Sequence, residues 1–278
     1  MNTSNINESF AETNQQNIVT CKTIAITNQK GGVGKTTTSI NLAASLTAVK
    51  KKVLLIDFDP QGNTTMGSGI AKNSLAHSVD DVLLQNCTIE QALTKTTAGY
   101  DLLPANAKLT SAEIQLLKLD NREYQLKNAL TNITKDYDFI LIDCPPSLNM
   151  LTINALVAAN SVLIPVQCEY YALEGLASLL TTIERIRNSA NNNLTIEGLL
   201  RTMYDGRNRL TLEVSEQLLQ HFEDKVYNTV IPRNVRLAEA PSHGMSALMY
   251  DSSSPGAMAY LALAGEIITK YSKLTNDE

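Results

Sequence analysis

One segment limits the folds open to this chain more than any other: Lys30-Gly-Gly-Val-Gly-Lys35-Thr36-Thr37-Thr38. Ahead of it stands Lys22-Thr-Ile-Ala-Ile-Thr27, short and apolar enough to read as a buried strand, and behind it Lys35 to about Val49 carries helical spacing. Strand, glycine turn and helix, in that order, open a parallel α/β unit. Glycines let the backbone curl around an anion with its N–H groups inward, and the following helix adds the positive end of its dipole. Gly31, Gly32, Val33, Gly34, Lys35, Thr36 and Thr37 are therefore the expected nucleotide-binding residues. Lys35 would reach the β- and γ-phosphates, and Thr36 would offer its hydroxyl to Mg²⁺. The segment departs from an ordinary phosphate loop in one respect. Gln29 stands where the first fixed glycine belongs, and a second lysine, Lys30, follows it.

Two more apolar runs, Lys52-Val-Leu-Leu-Ile-Asp57 and Tyr137-Asp-Phe-Ile-Leu-Ile-Asp143, end in aspartate. That polarity belongs to the carboxyl edge of a parallel sheet, where ligands sit. The remaining pattern predicts helix over 79–84, strand over 100–103, helical pieces over 111–117 and 122–133, and helix over 149–158. It continues with strand 161–165, helix 172–188, strand 194–203, helix 210–222 and a last helix 255–271, with no element assigned between the last two. With 278 residues, 44% of them hydrophobic and 18% charged, the chain can fill a large core, and no linker is long enough to divide it. The expected fold is a doubly wound, mostly parallel sheet flanked by helices on both faces. It would form one domain over 18–278, after a disordered polar tail over 1–17.

Charge and composition narrow the function. A net charge of -5 argues against a surface that clamps nucleic acid throughout, though not against a local basic patch. No tryptophan and 5% aromatics argue against a base-stacking platform. Seven arginines of eight lie between Arg185 and Arg236, but acidic residues there match them closely, so that stretch is not a basic block by count. Cys21, Cys87, Cys144 and Cys168 are too scattered for metal-ligand spacing and read as small buried hydrophobes. His77, His221 and His243 are likewise dispersed and read as structural or surface residues. The polar first residues carry no secretory pattern, and no apolar window is long enough to span a membrane, so a cytoplasmic protein is expected.

Three acids complete the candidate site. Asp143 is placed to serve the magnesium shell from a neighbouring strand. Asp57 and Asp59, two residues apart in Asp57-Phe-Asp-Pro-Gln-Gly62-Asn63, would both face the phosphates if the backbone stays extended. One would hold the metal's waters and the other orient the attacking water. The alternative for Asp57 is a cap on the segment that follows.

At this point the sequence resembles the ParA-type, Soj-like partitioning ATPases of bacterial chromosomes and plasmids, within the deviant Walker A group that also holds MinD-type ATPases and the nitrogenase iron protein. Besides the loop, the resemblance rests on Asp57-Phe-Asp-Pro-Gln-Gly-Asn-Thr-Thr, Asp143-Cys-Pro-Pro-Ser and Pro165-Val-Gln-Cys-Glu-Tyr-Tyr-Ala-Leu-Glu-Gly175. It rests also on Ile231-Pro-Arg-Asn-Val-Arg-Leu-Ala-Glu-Ala-Pro-Ser-His-Gly244. The resemblance covers Thr20 to about Tyr271.

It implies a switch in which ATP closes two subunits into a homodimer, Lys30 of each reaching the phosphates of the other as an arginine finger would. Lys35 is then the phosphate lysine in cis, Thr36 and Asp143 serve Mg²⁺, and Asp59 is the residue most tied to hydrolysis. Pro232 and Arg233 would form part of the adenine wall. The family binds double-stranded DNA without sequence preference, placing the protein on the nucleoid, and Arg207 and Arg236 match its phosphate-contacting arginines, with Arg209 a further candidate. A ParB-type centromere-binding partner would stimulate an otherwise slow turnover. The competing reading, a MinD-type membrane-positioned ATPase, calls for a basic amphipathic C-terminal helix, which Tyr271-Ser-Lys-Leu-Thr-Asn-Asp-Glu278 does not resemble.

Overall fold

A computed structural model describes residues 21–274, so the tail expected over 1–17 lies outside the described residues. All eight described strands belong to one sheet: β1 (Lys22–Ile26), β2 (Val53–Asp57), β3 (Thr94–Lys95), β4 (Asp101–Leu103), β5 (Phe139–Asp143), β6 (Ser161–Gln167), β7 (Thr195–Tyr204) and β8 (Val226–Pro232). Their order is β3-β4-β2-β5-β1-β6-β7-β8, and every pairing is parallel except β3 with β4. This is the doubly wound sheet expected from the repeated strand and helix pattern.

The pleat explains why the central strands are apolar without interruption. Ala25, Leu54, Ile56, Ile140 and Ile142 pack into one buried cluster, while Ile24, Ile26, Leu55, Leu141 and Leu163 pack into another on the opposite face. Successive side chains point to opposite faces, and helices cover both, so no position in these strands can be polar without cost. On the second face, helix α1 (Lys35–Ala48) contributes Ile40, Leu42 and Leu46, and helix Pro255–Leu274 contributes Leu263, Ala264 and Ile267. The first face is covered in part by helices Met150–Ala158 and Ala172–Ser189.

Strand order places the phosphate-binding candidate. The chain leaves β1, which lies between β5 and β6, crosses to β2 on one side, and only later builds β6, β7 and β8 on the other. The carboxyl end of β1 is thus a switch point, the crevice where open parallel sheets bind ligands.

Differences from the sequence reading occur before Asp101, where the short helices Asn63–Gly67 and Ile89–Ala92 and strand β3 were not expected, and again after Phe222. Where no element was assigned, the structure has strand β8 and the short helices Val235–Glu239 and Ala247–Tyr250. β8 is an edge strand with a broken register against β7, and Asn228 and Thr229 interrupt its apolar run. Its exposed edge is met by Glu266, whose carboxylate accepts from the Asn228 and Thr229 backbone amides at 2.9 and 3.1 Å. β7 runs through Tyr204, one residue past the expected strand, and Arg201 lies within it. Its buried guanidinium donates to Ser215 Oγ and to the carbonyls of Tyr227 and Asn228, tying helix Arg209–Phe222 to β8.

At the amino edge of the sheet, Glu197 joins three strands to the last helix. Its buried carboxylate accepts from Ser161 Oγ at 2.8 Å, from Tyr227 Oη at 2.9 Å and from Tyr271 Oη, and it pairs with Lys270 at 3.1 Å. Burial alone would raise its pKa, but the Tyr271 hydroxyl and the Lys270 charge outweigh burial and hold it below the ordinary value. Removing one member of a buried charged network leaves the others unpaired. Glu197→Ala is therefore expected to lower the unfolding free energy by roughly 3–5 kcal/mol in urea titrations. A loss under about 1 kcal/mol would mean that the network contributes little beyond packing.

Candidate functional site

The loop after β1 owes its shape to two glycines in the left-handed region, Gly32 at φ 75° and Gly34 at φ 90°. A β-carbon at Gly31 or Gly32 would meet no heavy atom within 4 Å, so the outer wall of the loop is open to an approaching group. Gly34 is the N-cap of α1 and offers no side chain to the first helical amides, and no acidic residue occupies the first turn. A helix start without a side-chain acceptor, at the mouth of a glycine loop, suits an anion. The Thr202 hydroxyl donates to the Val33 carbonyl at 2.8 Å and holds the loop against β7.

The two lysines of the loop point to different places. Lys35 is buried, and its Nζ donates to the Lys30 carbonyl at 3.1 Å, inside the curl of the loop. Burial lowers its pKa, partly opposed by the negative charges of Asp143 and Asp59. Lys30, partly exposed, pairs with Glu169, in the turn just past β6, at 2.6 Å.

Asp143 and Asp57 are direct neighbours in the β2–β5 register, and both are buried. Three hydroxyls converge on Asp143. Thr36 Oγ1 and Thr64 Oγ1 donate to its Oδ2 at 2.8 and 2.6 Å, and Ser39 Oγ donates to Oδ1 at 3.0 Å. Thr36 and Asp143 are thus in direct contact, as a site for Mg²⁺ requires. Among the described residues no three His, Cys, Asp or Glu side chains cluster at metal-binding distance. The donor set fits a hard cation that takes one threonine oxygen and completes its shell with phosphate oxygens and water, with Asp143 accepting from that shell.

Asp57 does not line up beside Asp59. Its Oδ2 accepts from the Thr65 backbone amide at 2.7 Å and from Thr65 Oγ1 at 2.6 Å, and its Oδ1 accepts from the Asp59 amide at 3.2 Å. Thr65 is in the first turn of α2 (Asn63–Gly67), whose N-cap, Gly62, has no side chain. Asp57 supplies the missing acceptor from the strand before, which corresponds to the capping alternative. The extended run ends at Asp57, so the strand's two-residue alternation does not continue to Asp59.

Asp59 is only half-buried and sits in the turn between β2 and α2. Its Oδ1 accepts from the Gln61 amide at 2.9 Å, and its carbonyl accepts from the Gly62 amide at 2.9 Å. Gly62 is required here: its φ is 63°, and a β-carbon would lie 2.8 Å from the Ala105 carbonyl oxygen.

Beside the loop, a cavity of about 180 Å³ is lined by Gly34, Thr37, Pro232, Arg233, Asn234 and Tyr260, among others. The sequence-chosen pair Pro232 and Arg233 therefore shares one concavity with the start of α1. Sequence reading missed Asn234, whose buried Oδ1 has no hydrogen-bond partner among the described residues. It also missed Ser39, Thr64, Thr65 and Glu169. The hydroxyl pair immediately after Asn63 was the available signal, because two threonines one turn beyond an acidic strand end can return to those acids.

The three candidate arginines stand at the carboxyl ends of β7 and β8, on the same edge as the loop. Arg207 is 91% exposed and holds Asp205 in a two-point contact, with Nε and Nη2 at 2.9 and 2.8 Å from its oxygens. Arg209 pairs with Glu213 at 2.7 Å. Arg236 pairs with Glu239 at 2.7 Å and Asp251 at 3.3 Å. Exposed pairs of this kind exchange readily for other anions. No helix among the described residues is long and apolar enough to cross a membrane.

A parallel sheet with a glycine loop at its switch point, a buried lysine in the loop and a threonine–aspartate pair beneath it defines a P-loop NTPase. Comparison with known proteins narrows this class. Residues 21–196 match the AAA domain family. The chain is 54% identical over 247 residues to the sporulation initiation inhibitor protein Soj of Bacillus subtilis, covering 88% of this chain and 98% of that one. Among solved structures it is similar to one described as cobyrinic acid a,c-diamide synthase from Mycobacterium smegmatis with a bound ATP analog and magnesium. That likeness has 38% identity and a TM-score of 0.80, and covers 91% of this chain and 96% of the other. The septum site-determining protein MinD of Pyrococcus horikoshii, complexed with Mg-ADP, is more distant at 25% identity and a TM-score of 0.74, with 92% and 98% covered. The chain belongs to the Soj/ParA chromosome-partitioning ATPase family.

Two adjacent buried carboxylates make stability depend on pH in a definite direction. Burial and the charge of Asp143 push Asp57 up to about 7, and burial pushes Asp143 up to about 6. Both pKa values lie above the ordinary carboxylate value, so between about pH 4 and 7 the folded protein binds more protons than the unfolded chain. These groups therefore stabilise less as pH rises through that window. In nucleotide-free protein, the unfolding free energy of the parent minus that of Asp57→Asn should fall by a few kcal/mol from pH 4.5 to 7.5. A difference that stays level or rises would show that Asp57 is ionised throughout.

Proposed function

We propose that this chain is an ATP-driven partitioning switch. ATP and Mg²⁺ bind at the loop, two subunits close face to face, and the closed dimer holds double-stranded DNA regardless of sequence. Hydrolysis, stimulated by a ParB-type partner, opens the dimer and releases the nucleoid. The observation that carries this reading is the division of labour between the two loop lysines, one buried inside the curl and one partly exposed at the same edge.

Each step is assigned to residues of the chain. Lys35 exchanges the Lys30 carbonyl for phosphate oxygens, and the first amides of α1 complete the cradle. Pro232 and Arg233 cover the base, and the Asn234 carboxamide oxygen accepts from its amino group. Thr36 and Asp143 hold Mg²⁺, which when bound offsets charge on the β- and γ-phosphates. Asp59, outside the hydroxyl network that occupies Asp57 and Asp143, orients the attacking water. Lys30 of each subunit supplies positive charge to the phosphates of the other, so closure requires the triphosphate.

DNA binding rests on Arg207, Arg236 and Arg209, all on the nucleotide edge. Dimerisation doubles their number on one surface, and two linked weak patches make a strong, salt-sensitive one. The chain's net charge of -5 does not oppose this, since the arginines are localised and their partner carboxylates are all at least partly exposed.

A salt titration of binding to two unrelated duplexes, in ATP and in ADP, tests the reading. The parent should bind strongly in ATP alone. Arg207→Ala and Arg236→Ala should each reduce the log–log salt slope by roughly 1.8, because one substitution removes two phosphate contacts from a two-fold dimer. The loss should be similar on both duplexes. Equal weak binding by the parent in both nucleotides would reject a DNA switch.

A further inference from the structure

The segment Pro165-Val-Gln-Cys-Glu-Tyr-Tyr-Ala-Leu-Glu-Gly175 supplies the residue that touches Lys30. The contact joins positions 139 apart in sequence, with Lys30 Nζ at 2.6 Å from Glu169 Oε2. Both backbones are held in place for it. Asn28, just before the loop, donates to the Pro165 carbonyl at 2.8 Å and accepts from the Lys30 amide at 3.0 Å, which fixes the loop entrance to the end of β6. The Glu169 amide donates to the Gln167 carbonyl at 2.8 Å, and the Ala172 amide donates to the Glu169 carbonyl at 2.9 Å, so a tight turn sets the glutamate just before helix Ala172–Ser189. Neighbouring parallel strands β1 and β6 therefore bring lysine and glutamate together without either side chain searching for the other.

We propose that Glu169 is a positioning residue that acts through Lys30: it is the counter-ion within the subunit that Lys30 must leave to reach the phosphates of a second subunit. The proposal rests on the reading of Lys30 as a lysine that acts in trans. An ammonium has three donors, but its charge cannot be shared fully between a carboxylate of its own subunit and a phosphate across an interface. The pair thus competes with closure. A polyphosphate carries more negative charge than the single carboxylate of Glu169 and can draw the lysine away, and ATP adds the charge of a γ-phosphate that ADP lacks. Glu169 sets the threshold of the switch, while Lys30 supplies its force.

The pair is partly exposed, with 36% of the Lys30 side chain and 47% of the Glu169 side chain accessible, so its strength is that of a surface pair. Two pairs are broken per dimer. Glu169→Gln, which keeps shape and loses charge, should tighten the dimer formed with a non-hydrolysable ATP analogue by about 2- to 30-fold in sedimentation equilibrium. Glu169→Asp, which keeps the charge, should stay close to the parent. Nucleotide affinity of the monomer should be unchanged in both, and this separates a positioning role from damage to the fold. In a Lys30→Ala background, Glu169→Gln should leave the residual association unaltered.

The outcomes that overturn the proposal are separable. Unchanged or weaker dimerisation by Glu169→Gln, with Lys30→Ala monomeric, removes the counter-ion role and leaves the trans lysine standing. Tightening that persists without Lys30 assigns the effect to general charge repulsion and also overturns it. If Lys30→Ala dimerises like the parent, the trans reading fails and the proposal fails with it.

Discussion

Two carboxylates buried side by side are a severe electrostatic problem, and the site is organised around its solution. Asp57 and Asp143 occupy matching positions on β2 and β5, where water cannot reach them. Each is made tolerable by groups that donate to it: Thr36, Ser39 and Thr64 on Asp143, and Thr65 and the Asp59 amide on Asp57. Those donors come from α1 and from the segment that opens α2. The same contacts that satisfy the acids therefore dock the phosphate-loop helix and the helix after β2 onto the centre of the sheet. A charge network that needs its neighbours also positions them, and a cation arriving at Thr36 meets a prearranged acceptor.

This arrangement leaves Asp59 and Lys30 as the groups with freedom to act. Both stand at the carboxyl edge, both are only half-buried, and neither is locked into the hydroxyl network. Rigid elements hold the nucleotide, while the residues assigned to closure and hydrolysis lie on turns next to them. The arginines beyond the ends of β7 and β8 share that edge.

Much of this was legible in the sequence because it depends on local chain geometry. The glycine loop, the apolar strands β1, β2 and β5 and the aspartates that end β2 and β5 each follow from short-range rules. What escaped depends on contacts across the sheet. β8 alternates weakly and is completed by Glu266 from the last helix, so its strand character is tertiary. Glu197 looks like one polar residue in a strand until Tyr227, Tyr271 and Lys270 converge on it. Asp57 and Asp59 were indistinguishable by spacing; only the end of the strand at Asp57 and the turn that follows assign one to α2 and leave the other at the surface. The Lys30–Glu169 contact needed the β1–β6 pairing to become visible.

The central claim is that Asp59, and not the buried pair Asp57 and Asp143, handles the attacking water. Single-turnover hydrolysis and equilibrium ATP binding, measured together on Asp59→Ala, address it directly. The account predicts ATP affinity within about 3-fold of the parent and hydrolysis slower by at least about 100-fold, the range associated with loss of a group that handles the attacking water. Hydrolysis at the parent rate, with ATP binding intact, would contradict it and return the catalytic role to the buried pair.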